Sequence, residues 1–271
     1  MSDELEGKHG VQSLEVGMSI LKAMVAGKRS MMLKDIAAAA EMPPSKAHRY
    51  LVSLIRSGLV EQDPLTSRYN LGPFALNIGL VAIDRIDRIR LGLSAIADLR
   101  DAVNETTALA IWSDNGPVVV RWERPRRPIT VNVVTGTTLG LLGSAAGRVF
   151  GAWLPRNLTL PILRKELEEQ RNLPEGVSTV KDAEALLAEV RSHGVAAITG
   201  NYFYHGVEAA AAPVFNFKNE ITMAMIIVGV EGTVDLEPDS PVIAQLKEAS
   251  DALSRRLGST REGIEAASGE S

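Results

Sequence analysis

Residues 43–72 of this chain read PPSKAHRYLVSLIRSGLVEQDPLTSRYNLG, and this stretch constrains the fold more than any other. After Pro44, which suits the first turn of a helix, the apolar residues recur at helical spacing and form one arc: Ala47, Leu51, Leu54 and Ile55. Gly58 is placed to end that helix, and the strand-like runs LVEQ and RYNL follow on either side of the turn DPLTS. The stretch therefore predicts a helix from about Pro44 followed by a β-hairpin.

Two shorter helical patterns precede this stretch. Apolar residues three or four positions apart predict a first helix over Leu14–Val25, with Ser13 as its N-cap and Gly27 at its end. The same spacing predicts a second helix over Leu33–Ala40. Two helices, a turn, a third helix and a hairpin, in that order, indicate a winged helix-turn-helix domain.

The polar arc of the third helix predicts a DNA-binding surface. It carries Ser45, Lys46, Arg49, Ser53 and Arg56. Its basic residues lie mainly in the N-terminal half, where a recognition helix meets the bases of the major groove. Although the chain has a formal net charge of -4, residues 28–68 hold seven Lys and Arg against four Asp and Glu. A solvated amphipathic helix is the alternative interpretation of the same pattern.

Individual residues of this surface have different predicted roles. Arg49 and Lys46 are candidates for contacts with bases or phosphates, since arginine can form a bidentate pair with guanine. Ser45 at the helix start and Arg68 in the wing are candidates for contacts with the DNA backbone, whereas Arg56 makes a backbone contact at most. His48 is either packed or functional, and Tyr50 contacts either a phosphate or the helix-turn-helix core.

The rest of the chain shows no pattern of a membrane protein or of an enzyme. There is no cysteine, the four histidines have no metal-ligand spacing, and the N-terminus MSDELEGKHG is not a signal peptide. No apolar stretch approaches the roughly 18 residues of a membrane span. GLLGSAAG lacks the Lys-Ser/Thr ending of a phosphate loop, so Ser144 is read as a turn or cap residue rather than a nucleophile. We expect a cytoplasmic protein without a cofactor or catalytic residues.

Beyond residue 73 the pattern predicts an α+β domain built on an antiparallel sheet. Helical spacing runs from Ala75 to Val103, and LAIW and VVVRW flank a hairpin turn at Asp114–Gly116. Further strands are predicted for ITVNVV, AAPVFN and ITMAMIIVGV, and further helices over residues 144–154, 158–170, 180–193 and 238–257. The predicted organisation is a flexible N-terminus (1–10), the winged domain (11–73), a linker helix (74–93), a second domain (94–257) and a disordered tail (258–271).

Several of these stretches resemble the IclR family of bacterial transcriptional regulators. The matching residues are Ser45, His48-Arg49, Leu51 and Gly58-Leu59-Val60, followed by GSAAGRVFGAWLP and by HGVEAAAAPVFN with MAMIIVGVEG. The resemblance spans about residues 11–257. It implies a winged-helix DNA-binding domain, a linker helix and a GAF-like effector-binding domain. It also implies a homodimer or homotetramer that binds double-stranded DNA at palindromic operators near catabolic operons, more often as a repressor, under the control of a small and often aromatic organic acid.

The resemblance also implies where the effector binds. The expected pocket residues are Leu139, Leu141, Leu142, Gly143, Ser144, Thr199, Asn201, Tyr202, Tyr204, Ala209, Ile226 and Val228. The chain departs from the family pattern here, with Glu208 in place of an arginine, Ala209 in place of a cysteine, and apolar Ile226 and Val228 in place of serines. These residues either fill the core or form an apolar pocket, with Tyr202 and Tyr204 near its mouth. An apolar pocket suits an aromatic ligand, whose carboxylate would meet Ser144, Thr199, Asn201 or backbone N–H groups.

Other interpretations remain open from the sequence. Trp112 and Trp122 are expected to pack in the core or at an oligomer interface. The basic cluster of Arg121, Arg124, Arg126 and Arg127 is read as a solvated or interface surface, with an anionic effector as the alternative. The rival functions are a small-molecule enzyme that has retained a winged helix and a winged-helix module that binds protein.

Overall fold

The structure, a computed structural model, describes residues 11–27, 30–85, 87–126, 135–170, 173–199 and 206–261, with only the backbone of 82–85. It divides into two compact units, Met1–Ile86 and Asp87–Ser271. The predicted flexible residues 1–10, most of the predicted tail and all of the predicted strand ITVNVV lie outside the described residues.

The N-terminal unit has the predicted order of elements. They are α1 (Gln12–Ala26), α2 (Leu33–Ala39), α3 (Pro44–Arg56), β1 (Val60–Gln62), β2 (Tyr69–Leu71) and α4 (Pro73–Arg85). The prediction of Ser13 as an N-cap was wrong, because α1 begins two residues earlier, at Gln12 after Val11, and no side chain caps it. Gly27 does end α1, and Gly58 follows the α3 C-cap Ser57 with a positive φ of 72°.

The core of this unit joins the three helices to the hairpin. Ile20 of α1, Ile36 of α2 and Leu51 of α3 are fully buried, and Val60 and Tyr69 extend the cluster into β1 and β2. The sequence pattern did not predict one further contact of the hairpin. Met31 and Tyr69 exchange two backbone hydrogen bonds of 3.1 and 2.9 Å, so the segment before α2 lies against the hairpin as an additional extended pair.

The predicted linker helix of residues 74–93 falls in two helices. Helix α4 ends at Arg85, and α5 (Arg88–Val103) begins after Asp87. The Asp87 carboxylate accepts a hydrogen bond of 3.0 Å from the backbone N–H of Arg90, as an N-cap does. The continuous spacing of charges and isoleucines in IDRIDRIR does not reveal this break.

The C-terminal unit contains one five-stranded antiparallel sheet in the order β4-β3-β7-β6-β5. Its strands are β3 (Thr106–Ser113), β4 (Gly116–Glu123), β5 (Ala196–Ile198), β6 (Val207–Phe215) and β7 (Ile221–Val230). Besides α5, its helices are α6 (Ala145–Trp153), α7 (Arg156–Glu169), α8 (Val180–His193) and α9 (Pro241–Arg256). The predicted hairpin at Asp114–Gly116 is present, with Gly116 opening β4. The short strand β5 was not predicted.

Side chains alternate across this sheet and build two cores. Ala108 and Ala110 of β3 face one side together with α6, whereas Leu109 faces the other side, where α5 and α9 pack. We call the first surface the α6 side of the sheet. A third apolar cluster joins Leu141 and Leu142 to α7 and α8.

The first residues of the predicted disordered tail are packed instead. Ser259 donates a hydrogen bond of 2.8 Å from Oγ to Oδ1 of Asn219, and the Arg261 guanidinium lies 4.3 Å from the centre of the Phe215 ring. The prediction that disorder begins at Gly258 was therefore wrong, because residues 258–261 still contact the turn before β7.

Candidate DNA-binding surface and effector pocket

The orientation of α3 follows from two buried side chains. Ala47 and Leu51 have no exposed surface and anchor one face of the helix in the core. The opposite face presents exposed Ser45, His48, Arg49 and Ser53, with Lys46 half-buried beside them. The structure therefore brings these predicted DNA-binding residues onto one side of one helix. His48 lies on the exposed side.

Tyr50 belongs to the core side of α3. It is half-buried and packs in the cluster of the three helices. A carbon atom placed as the side chain of Gly17 would lie 3.8 Å from Cδ1 of Tyr50, so the ring contacts α1. Of the two roles that the sequence left open, this position supports the structural one.

The wing is stabilised by local hydrogen bonds. At its tip, the Asp63 carboxylate accepts the backbone N–H of Leu65 at 2.8 Å and the hydroxyl of Thr66 at 2.9 Å. These bonds lower the pKa of Asp63 below its ordinary 3.8. Arg68 is exposed, and its Nη1 donates a 3.2 Å hydrogen bond to the carbonyl of Ser30. This arginine thus links the wing to the segment between α1 and α2.

The predicted effector residues fall into separate environments. Ala209, Ile226 and Val228 lie together, buried on the α6 side of the sheet, and Leu139 packs against the same surface. Leu141 and Leu142 are fully buried in the cluster with α7 and α8. Gly143 is buried and Thr199 is exposed, whereas Asn201, Tyr202 and Tyr204 lie outside the described residues.

Ser144 is a helix cap, as the sequence indicated. Its hydroxyl donates to the carbonyl of Gly140 at 2.6 Å and accepts the backbone N–H of Gly147 at 2.9 Å. Gly147 has to be glycine, since a Cβ there would lie only 2.0 Å from the oxygen of Gly140. With both hydrogen bonds inside the cap, Ser144 is a poor donor for an effector.

Two charged residues that the sequence did not single out organise the loop 140–144. The Glu166 carboxylate of α7 accepts the backbone N–H groups of Leu141 at 2.5 Å and Leu142 at 2.9 Å. Arg148 of α6 is only 7% exposed, and its Nε donates to the carbonyl of Leu142 at 2.8 Å. The loop N–H groups that were candidate donors to an effector are therefore occupied by Glu166. A 25-residue separation hides this contact from sequence reasoning.

Glu208 stabilises a turn rather than contacting the pocket. The residue is 3% exposed, and its carboxylate accepts the backbone N–H groups of Gly232, Thr233 and Val234 at 3.1, 3.1 and 2.7 Å. Three donors on one carboxylate fix the connection between β7 and α9. The carboxylate of Glu208 therefore stabilises the fold at this position.

Acidic neighbours accompany part of the basic cluster near the end of β4. Nε of Arg121 lies 3.0 Å from Glu123, and Nη2 of Arg126 lies 3.7 Å from Asp101. Arg124 is exposed, and Arg127 lies outside the described residues. These pairs support a solvated surface over an anionic effector site.

Within the described ranges, no group of three His, Cys, Asp or Glu residues is arranged to hold a metal ion. Likewise, none of the helices in the described part of the chain is both long and apolar enough to cross a membrane.

Two family models match the chain. The model described as the IclR helix-turn-helix domain matches residues 13–64, and that of the bacterial transcriptional regulator IclR C-terminal domain matches residues 81–255. The chain belongs to the IclR family of bacterial transcriptional regulators. IclR-family regulators bind DNA through the helix-turn-helix and small-molecule effectors through the C-terminal domain, which assigns these two roles to the two units of the chain.

Named relatives agree with the family assignment. The glycerol operon regulatory protein of Streptomyces griseus is 29% identical over 263 residues, covering 93% of this chain and 98% of that protein. The crystal structure of Pseudomonas aeruginosa HmgR is 36% identical with a TM-score of 0.83, covering 93% of this regulator and 100% of that chain.

One more distant structure contains a ligand. An IclR homologue from Microbacterium hydrocarbonoxydans, crystallised in complex with 4-hydroxybenzoate, is 20% identical with a TM-score of 0.54 and covers 91% of this regulator and 99% of that chain. At that identity the likeness shows the fold alone.

Proposed function

We propose that this IclR-family regulator represses a catabolic operon and releases its operator in response to a small aromatic acid. The observation that carries the DNA-binding part is the exposed polar face of α3, with Arg49 and Lys46 on the side opposite the buried Ala47 and Leu51. Regulatory proteins of this class act on chromosomal DNA, so the proposed location is the cytoplasm.

Base reading is assigned to Arg49 and Lys46, with Ser45, His48 and Ser53 on the same exposed face. Arg68 is assigned to the DNA backbone, and its bond to Ser30 supports this role because it holds the wing in place. Tyr50 contributes by positioning α3 against α1. Phosphate contacts would supply most of the affinity, and contacts to base edges would supply the specificity.

A second copy of the chain is proposed to cover α4. Phe74, Leu76, Ile78, Leu80 and Val81 are all large apolar residues at least 47% exposed. So many apolar side chains on one helix are typical of an interaction surface. A two-fold dimer would present two α3 helices to successive major grooves about 34 Å apart, which requires a palindromic operator. Pairing of two such dimers would give the tetramer.

The proposed effector is an aromatic acid bound on the α6 side of the sheet. Ala209, Ile226 and Val228 make that surface apolar, which suits an aromatic ring better than a small polar acid. The complex of the Microbacterium homologue with 4-hydroxybenzoate supports the same ligand class. Such a ligand releases DNA only if it binds the DNA-free arrangement more tightly than the DNA-bound one.

Fluorescence anisotropy with the DNA upstream of the regulator's own gene and its neighbours tests the DNA-binding role. We expect Arg49→Ala to weaken specific binding by about 1–3 kcal/mol and to relax the sequence preference. Lys22→Ala is the matched control, since Lys22 is an exposed basic residue of α1 rather than of α3. A protein-interaction module predicts instead that Arg49→Ala leaves the affinity for DNA unchanged, and an enzyme predicts turnover of an added aromatic acid.

A further inference from the structure

A β-bulge sets the direction of Trp122. Along the β3–β4 pair Leu109 lies opposite Arg121, but the next residue Ala110 lies opposite Val119, so Val120 is an extra residue in β4. As a result Val119 and Trp122, three positions apart, both face the α6 side of the sheet. Unbroken alternation from Val119 would have turned Trp122 to the opposite side. Bulges often re-aim a side chain next to a functional site.

The indole N–H of Trp122 has no acceptor in the part of the chain that the structure describes, although its Nε1 is buried. Buried donors in native proteins are nearly always paired, and an indole nitrogen can only donate. A retained, unpaired donor of this kind is explained when a bound molecule supplies the acceptor.

The surroundings of Trp122 coincide with the proposed effector surface. Trp122 lies opposite Ala108, which in turn lies opposite Ile226 on the neighbouring strand β7. The next strand contributes Ala211 opposite Ile226 and Ala209 opposite Val228. A large indole therefore borders a surface of small and aliphatic side chains.

Two of the other kinds of donor considered for this pocket, the Ser144 hydroxyl and the loop N–H groups, are engaged elsewhere, whereas Thr199 is exposed and Asn201 lies outside the described residues. The Ser144 hydroxyl donates to Gly140, and the N–H groups of Leu141 and Leu142 donate to Glu166. Trp122 differs from these groups because its indole N–H is buried and has no acceptor within the described residues.

We propose that Trp122 Nε1 donates a hydrogen bond to an acceptor oxygen of the effector, whose apolar body lies on Ala209, Ile226 and Val228. This inference rests on the proposed effector role of the C-terminal unit. It narrows the ligand class to compact aromatic molecules that carry a carboxylate or another oxygen acceptor. It also makes Trp122 a residue that discriminates such acids from hydrocarbons of the same shape.

Binding measurements on the full-length protein with three probes test this assignment. Benzoate and 4-hydroxybenzoate carry the acceptor, and toluene lacks it. We expect Trp122→Phe to weaken binding of the two acids about tenfold, the size of one buried hydrogen bond to a charged group, and to leave toluene binding within about twofold. Trp112→Phe is the matched control, since Trp112 also packs on the α6 side, 5.6 Å from the Phe150 ring.

Nitrogen-15 labelling of the indoles provides a readout that a purely structural role does not move. The protein has three tryptophans, and Trp122→Phe identifies the Trp122 signal by its loss. We expect benzoate to shift this indole proton downfield and toluene not to do so. The assignment is overturned if Trp122→Phe binds the acids as tightly as wild type, or if neither acid shifts the Trp122 signal.

Operator affinity of the ligand-free variant separates this proposal from the function on which it rests. Trp122→Phe should bind operator DNA like wild type, because the substitution lies in the C-terminal unit. Failure of the wild type to bind any upstream DNA contradicts the proposed regulator role, whereas normal DNA binding with unchanged acid binding contradicts only the role of Trp122.

Discussion

The carboxylate of Glu166 lies 2.5 Å from the backbone nitrogen of Leu141, so a residue of α7 holds the loop that leads into α6. The same carboxylate accepts the N–H of Leu142, and Arg148 donates to the carbonyl of Leu142 from the other side. The loop 140–144 is therefore fixed by two side chains of opposite charge. Its cap residue Ser144 starts α6, which covers one side of the sheet.

Replacing Glu166 by alanine should destabilise the C-terminal unit. The change leaves the N–H groups of Leu141 and Leu142 without their acceptor, and each such loss costs about 1–3 kcal/mol. We expect urea denaturation to show a decrease of about 2–4 kcal/mol in the free energy of unfolding. Glu168→Ala is the control, since Glu168 is exposed on the same helix. Equal effects of the two substitutions would contradict the bonded role of Glu166.

The pKa of Glu166 predicts a pH dependence of stability. Burial raises this pKa above its ordinary 4.5, although the two backbone N–H groups oppose the shift. The folded protein thus retains the proton more readily than the unfolded chain, and its stability decreases as pH rises from 4.5 through the raised value. We expect the free energy of unfolding of wild type minus that of Glu166→Gln to decrease across this window and to stay constant above it. A difference that grows with pH would refute the assignment.

Glu208 should be among the most sensitive polar positions. Its alanine variant takes the carboxylate acceptor from the backbone N–H groups of Gly232 and Val234, whereas the N–H of Thr233 still donates to the carbonyl of Val230 at 2.9 Å. We expect a loss of about 2–4 kcal/mol in the free energy of unfolding, measured by thermal or urea denaturation. Glu231→Ala provides the comparison, because Glu231 is exposed in the same turn. If Glu208→Ala unfolds like wild type, the carboxylate does not hold this turn.

Charge placed on α4 should separate the proposed dimer. Leu76 is 62% exposed, so glutamate is tolerated there in a single chain but not in an apolar interface. We expect Leu76→Glu to elute as a monomer with light-scattering detection and to lose affinity for a palindromic operator while keeping its helical circular dichroism. Leu158→Glu on α7, also an exposed leucine, should leave the oligomeric state unchanged. A dimeric Leu76→Glu variant would place the interface elsewhere.

Local patterns predicted the elements of the DNA-binding unit well. The faces of α3 follow from helical periodicity within 13 residues, and Ala47 and Leu51 are buried as that periodicity requires. The hairpin follows from its turn residues. The break between α4 and α5 was missed because Asp87 looks like any other charge in IDRIDRIR until its carboxylate caps the next helix.

The effector surface was only partly predictable, because part of it depends on packing between segments that are distant in sequence. Of the residues that the resemblance assigned to the pocket, Ala209, Ile226 and Val228 share a side of the sheet, but Leu141 and Leu142 pack against α7 and α8. The packing of Leu141 and Leu142 depends on Leu163 of α7 and Leu187 of α8. Both are distant in sequence and contact the loop only in the folded structure.

By itself the sequence determined the order of elements from α1 to β2, the two faces of α3 and the family, because these depend on residue spacing and on short motifs. Tertiary structure decided which charged groups serve the fold, as with Glu166 and Glu208, and which donor was left over, as with Trp122. The roles of Glu166 and Glu208 depend on hydrogen bonds between distant segments, and the direction of Trp122 depends on one extra residue in β4. Neither feature leaves a periodic pattern in the sequence.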